Sequence, residues 1–171
     1  HAGGKFSGKS YATSGGLHGV GASVVNALSS LLTVEIARDK KLHSQTFSRG
    51  LPQGKLTEIG SAPNRRGTSV SFTPDTEIFG DRAHFKPATL FRMAKSKAFL
   101  FAGVEIRWKC DPALLANDDA VPPEAVLHYP GGLADYLNDA TADKALMVST
   151  PFAELAELDG QKFEWAITWL G

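Results

Sequence analysis

Seven of the chain's 17 glycines fall within its first 21 residues, and the glycine-rich stretch then runs straight into an apolar segment. Glycine adopts left-handed backbone that other residues avoid and loses the most freedom on ordering. A dense glycine run therefore excludes regular helix or strand at that point, and it lets backbone approach a ligand closely. Two phosphate-binding spellings lie inside it. Gly3-Gly4-Lys5-Phe6-Ser7-Gly8-Lys9-Ser10 fits the P-loop pattern, with Lys9 and Ser10 as its functional pair. Gly16-Leu17-His18-Gly19-Val20-Gly21 leads into Ala22, Val25, Leu28 and Leu31 or Leu32, which repeat at helical spacing.

The contexts differ. A P-loop opens a helix directly after its Lys-Ser pair. Here Tyr11-Ala12-Thr13-Ser14-Gly15-Gly16 follows instead, which is poor material for a first helical turn. The second pattern does stand before a helix. The N–H groups of a first turn lack intrahelical partners, and the helix dipole favours an anion there. A triphosphate fits on residues 17–22. A flexible linker before an ordinary core helix is the competing reading of the same spacing.

The residues from His1-Ala-Gly-Gly-Lys-Phe6 through Tyr11 and Ser14-Gly-Gly-Leu-His-Gly-Val-Gly-Ala-Ser-Val-Val-Asn-Ala-Leu28 resemble the ATP lid of the B subunits of bacterial type IIA topoisomerases, in the GHKL ATPase superfamily. The resemblance continues through Arg38, Gly50-Leu-Pro-Gln53, Arg66-Gly67-Thr68, Gly103-Val-Glu-Ile106 and Gly131-Gly-Leu-Ala-Asp-Tyr-Leu137, and so covers nearly the whole chain. Phe6–Tyr11 and Lys95-Ser-Lys-Ala98 resemble the topoisomerase IV branch more than the gyrase branch.

The resemblance implies an α+β fold. It would be the GHKL two-layer α/β sandwich without its N-terminal part over residues 1–141, with the lid at 1–21, followed by the first hairpin of a transducer domain at 142–171. It also implies the ATP contacts. Gly16, Leu17, His18, Gly19, Val20, Gly21 and Ala22 would wrap the triphosphate. Lys5 would reach its terminal phosphate, Tyr11 the adenine–ribose side, and Thr68 would hydrogen-bond near the adenine. Arg38 would stand at the pocket rim where coumarin-type inhibitors bind. Each has an ordinary alternative: a solvated loop lysine, a surface tyrosine, a strand threonine favoured by β-propensity alone, and a strand-end arginine.

In the family, the glutamate base, the Mg²⁺-ligating asparagine and the adenine-reading aspartate precede the segment matching His1, and the transducer lysine follows Gly171. The chain opens inside a loop motif without an initiator Met, so it reads as a fragment with no catalytic residue and no metal ligand of its own. Purified alone, it is expected to show no magnesium-dependent ATP turnover. The implied partners of the intact enzyme are DNA, an A subunit in a heterotetramer, and a second copy of the ATPase domain that joins when ATP binds.

Composition agrees with a globular chain able to bury a core of roughly 70% of its unfolded surface, with 43% hydrophobic and 21% charged residues. Eighteen basic and eighteen acidic residues cancel, which argues against a strong DNA-binding surface on this stretch. No apolar run is long enough to span a bilayer and no signal peptide is visible. The lone Cys110 has no disulfide partner in the chain. A reducing bacterial cytoplasm is the expected compartment.

Local patterning predicts a helix from about 19 to 30. It then predicts a hairpin of Leu32–Ile36 and Leu42–Phe47 about a polar 39–41 turn, a short strand near Leu56–Ile59, and a strand through Val70 and Phe72 stopped by Pro74. Further on come a helix from Pro87 to about Phe101 buried through Leu90, Phe91, Ala94 and Ala98, strands at Val104–Trp108 and Ala125–Tyr129, and a helix at Gly131–Asn138. A last hairpin turns at Asp159-Gly160. Arg92, Lys95 and Lys97 read as a solvated face, and Trp165 and Trp169 as core.

Overall fold

A computed structural model describes residues 19–115, 120–159 and 161–171. The chain divides into two compact units, one reaching to His84 and one running from Phe85 to Gly171.

The first unit is built on one long strand. Helix α1 (Gly21–Ala27) feeds β1 (Ser29–Arg38), and β2 (Lys41–Ser48), β3 (Leu51–Pro52), β4 (Thr57–Ser61) and β5 (Gly67–Pro74) assemble around it. The sheet order is β3-β2-β1-β5, with β4 also pairing with β2, and each pairing is antiparallel. A four-residue helix α2 (Thr76–Phe79) and a 3₁₀ turn at Gly80–Arg82 close the unit.

Turn chemistry sets the register. Asp39 and Lys40 both have positive φ, 52° and 64°, and Arg38 faces Lys41 across the turn. This is the left-handed two-residue turn whose twist matches paired strands. Arg49 (φ 49°) and Gly50 (φ 82°) repeat it between β2 and β3.

Helix α1 ends earlier than its apolar spacing predicts. The carbonyl of Leu28 accepts from Asp75 N at 3.0 Å and that of Ser29 accepts from Arg49 N at 2.8 Å. The Ser29 hydroxyl donates back to Val25 O at 2.6 Å. Sheet pairing thus takes over the backbone that the helix would need, and Leu31 and Leu32 become strand residues. Cross-strand pairs Leu32–Phe72, Val34–Val70 and Ile36–Thr68 share one face of the sheet, and Leu32 is buried there.

Lys41 and Glu58 tie β2 to β4 with Nζ–Oε2 at 2.7 Å. The hydrogen bond and the lysine charge hold Glu58 below its ordinary 4.5, and Glu58 likewise holds Lys41 above 10.5. A depressed carboxylate stabilises above its unfolded value and loses that contribution as pH falls through the folded one. A raised lysine does so below its unfolded value and loses it as pH rises through the folded one. The pair therefore supports β4 across the window from 4.5 to 10.5. Glu58→Gln is expected to speed hydrogen exchange of β4 amides modestly at pH 7, and by a shrinking factor as pH falls below 4.5 and the native carboxylate protonates. A mutant-to-parent ratio that does not change with pH would count against it.

In the second unit, α3 (Pro87–Leu100) packs on the antiparallel pair β6 (Glu105–Lys109) and β7 (Glu124–His128). Pro87 occupies the first helical turn, where its missing N–H costs nothing. The buried arc runs through Phe91, Ala94, Ala98 and Phe99, while Leu90 lies at its exposed edge. The Phe99 ring stacks on Tyr129 with centroids 3.7 Å apart and meets Tyr136 edge-on at 5.4 Å. Trp108 packs edge-on against Phe91 and donates its indole N–H to Pro122 O at 2.9 Å. Lys95 departs from the solvated face expected of it. Its ammonium grips both Asp139 oxygens, at 2.9 and 2.8 Å, joining α3 to α4 (Leu133–Ala140).

The final hairpin pairs β8 (Phe152–Leu158) with β9 (Gln161–Ile167), and Leu158 faces Gln161 across the turn. Trp165 and Trp169, expected in a core, are each nearly half exposed. They lie on or beyond a two-stranded ribbon that α4 packs against but whose residues remain mostly exposed. Glu164 on β9 reaches α4, where its Oε1 accepts from Leu133 N at 3.0 Å. Gly132 (φ 56°) lies so close to this carboxylate that a side chain there would collide with it.

Candidate nucleotide site

Of the residues expected to contact ATP, Lys5, Tyr11, Gly16, Leu17 and His18 lie outside the described residues, as do Lys9 and Ser10 of the P-loop spelling. Gly19, Val20, Gly21, Ala22, Arg38 and Thr68 lie within them. Gly19 has φ 63°, a conformation that suits glycine, and it turns the chain into α1. Val20 is the N-cap and supplies no side-chain hydrogen bond to the first turn. Val20 therefore leaves to other groups the first-turn amides of α1, which have no intrahelical acceptor.

Arg38 and Thr68 come together elsewhere. Antiparallel pairing of β1 with β5 sets Ile36 opposite Thr68 and Ala37 opposite Gly67. The end of that ladder forms a cleft of about 940 Å³ lined by Ile36, Arg38, Lys40, Arg65, Arg66 and Thr68, together with Ala37, Asp39 and Gly67. Gly67 has φ 124°, which a side chain would strain. Thr68 is exposed on the same face as Ile36. Arg38 touches Asp39 only loosely, with Nε–Oδ2 at 3.6 Å and both side chains largely in water.

Gly19–Ala22 do not line this cleft. Helix α1 joins β1 at Ser29, the opposite end of the strand from Arg38, and ten residues of strand span roughly 30 Å. The described structure gathers Arg38 and Thr68 at this cleft.

Three lining residues, Lys40, Arg65 and Arg66, had no site role in the sequence, although Arg66 opens the Arg66-Gly67-Thr68 run that carries part of the resemblance. Lys40 read as part of a polar turn, and Arg65-Arg66 as the end of an exposed connection. Only the register, with Ala37 opposite Gly67, brings turn and connection to one cleft. Among the described residues, no group of three or more His, Cys, Asp or Glu is arranged to hold a metal ion.

The chain is 52% identical over 99% of its length to the B subunit of DNA topoisomerase 4 from Bartonella bacilliformis, and 52% identical over the same share to that from Caulobacter vibrioides. It belongs to the bacterial type IIA topoisomerase B-subunit family. The B subunit of DNA gyrase from Halalkalibacterium halodurans is 40% identical over 98% of the chain. The chain spans about a quarter of the length of these topoisomerase B subunits, 25% and 24% for the first two. No family profile matches it.

Among solved structures, the 43K ATPase domain of Thermus thermophilus gyrase B, in complex with an aminocoumarin, superposes with TM-score 0.69. It is 34% identical and covers 82% of this chain, which spans 36% of that one. The B subunit of Myxococcus xanthus gyrase gives TM-score 0.74 at 25% identity, over 85% of this chain and 40% of that one. The fold is thus that of the gyrase B ATPase domains, the GHKL fold. No described helix is long and apolar enough to cross a membrane.

Proposed function

We propose that the chain is part of the ATP-binding subunit of a type II DNA topoisomerase of the topoisomerase IV kind, in which ATP binding and hydrolysis drive passage of one DNA duplex through another. The observation that carries this is 52% identity to topoisomerase 4 B subunits over 99% of the chain, against 40% to a gyrase B. In this reading Gly16–Ala22 and Lys5 hold the triphosphate, Tyr11 and Thr68 the nucleoside end, and Arg38 the rim. Residues 1–141 belong to the ATPase domain and 142–171 begin the transducer. Mg²⁺ is held by residues outside this chain and neutralises phosphate charge. The partners are DNA, an A subunit, and a second copy of the ATP-binding subunit that docks when ATP closes the lid, all in the bacterial cytoplasm at the nucleoid.

The cleft offers a nucleoside or inhibitor end the Thr68 hydroxyl and the Arg38 guanidinium beside Ile36. The deciding experiment combines the full-length protein with its A subunit and follows catenated and relaxed circular DNA. ATP- and magnesium-dependent decatenation without net supercoiling is the expected result. Supercoiling would move the assignment to gyrase, and DNA-independent phosphoryl transfer would remove it from the topoisomerases.

Two residue-level results are expected in the same protein. Thr68→Ala weakens ATP binding about fivefold, the worth of one hydrogen bond. Arg38→Ala weakens aminocoumarin binding at least about tenfold, the scale of a charge-assisted contact. Unchanged affinities would take these residues out of the site. Lys9→Ala leaves ATP binding nearly intact if the lid reading holds, and abolishes it in a P-loop enzyme. A non-hydrolysable ATP analogue should protect the amides of residues 3–21 from exchange, and no protection would refute the lid assignment.

A further inference from the structure

The whole chain is electrically balanced, yet the cleft is not. Its lining carries Arg38, Lys40, Arg65 and Arg66 against one acid, Asp39, an excess of three positive charges. Counting Glu35, whose Oε2 lies 3.5 Å from Arg65 Nη2, the excess is two. Among the described residues no ion pair holds Lys40 or Arg66. Both are exposed, one at the tip of the β1–β2 turn and the other just before β5. Two unpaired cations from different segments, held at one opening by strand register, give the cleft a positive field directed at solvent.

We propose that Lys40 and Arg66 form a steering rim that draws the anionic nucleotide toward the cleft and sets its association rate, without holding it once bound. The inference rests on the ATP-binding reading above. A cleft lined by one sign of charge raises the local concentration of an oppositely charged ligand and speeds its arrival, with steep dependence on ionic strength. The groups that fix orientation, in this reading Thr68 and the lid, decide how long the ligand stays. Rim charges that make no defined contact act on arrival alone, as rim charges do at protein interfaces.

The test uses Lys40→Asn with Arg66→Gln in the full-length protein. Asparagine tolerates the left-handed backbone of residue 40, so the turn is preserved, and neither substitution breaks an ion pair among the described residues. Binding of a fluorescent non-hydrolysable ATP analogue is followed by stopped flow from low to physiological salt. In about 10 mM salt, where screening extends roughly 30 Å, the association rate constant is expected to fall about tenfold. At about 150 mM it should fall less than threefold, with the dissociation rate constant within about twofold of the parent throughout. Unchanged association at low salt overturns the proposal. So does a faster dissociation with association unchanged, which would make these residues direct contacts. If the parent protein binds no nucleotide, the ATP-binding reading itself is overturned, a result distinct from a parent that binds with a rate insensitive to salt.

Discussion

Phe99→Ala is expected to destabilise the second unit by about 3–5 kcal/mol, the usual loss for a buried phenylalanine. The ring is 3% exposed and lies beside Ala98, which is fully buried. It stacks on Tyr129 from the segment after β7 and meets Tyr136 from α4. One side chain therefore holds α3, the end of the β6–β7 pair and α4 together. Removing it leaves two tyrosine rings facing a void and forfeits aromatic contacts worth about 0.5–1.5 kcal/mol beyond area burial. Phe99→Leu should recover about half the loss, because it refills volume without restoring the stacking. Denaturation of the full-length protein in urea reads both. A loss under about 1 kcal/mol for the alanine variant would mean the ring is not the keystone of this core.

The second large effect is at Asp75, a carboxylate with only 2% of its surface in water. It caps α2 by accepting from Glu77 N at 3.0 Å. Arg49 Nε lies 2.6 Å from its Oδ2, Arg49 Nη2 donates to its Oδ1 at 3.4 Å, and the same Nη2 reaches Glu77 Oε1 at 2.7 Å. Glu77 and Asp75 hold the guanidinium firmly in its charged form. Asp75 thereby joins the end of β5, the β2–β3 turn and, through its own N–H to Leu28 O, the α1–β1 junction. Asp75→Ala is expected to cost about 2–3 kcal/mol, combining a lost cap with a broken buried pair. Asp75→Asn keeps the cap and should retain about 1 kcal/mol of that. Equal losses for the two variants would show that the charge, not the cap, carries the whole effect.

The family and the strand pattern were legible because they rest on local signals. Alternation at Leu32–Ile36, the Asp39–Lys41 turn, Pro74 and Pro87 each specify local geometry on their own. What stayed hidden depends on pairing between distant segments. The end of α1 is decided by Arg49 and Asp75, which take the carbonyls of Ser29 and Leu28. The role of Lys95 depends on Asp139, 44 residues away. The cleft has the same cause: Arg38 and the Arg66-Gly67-Thr68 run were recognisable by resemblance, while Lys40 and Arg65 join them only through register.

The contact between Glu164 and the start of α4 makes the last hairpin a ruler. Leu158 faces Gln161, so residue 164 sits a fixed number of positions from the turn and points to a fixed side. One residue inserted or deleted between Gln161 and Glu164 would reverse the side on which the carboxylate emerges. It would leave Leu133 N–H without its acceptor. Length variation among natural versions of this segment should therefore be absent from that stretch.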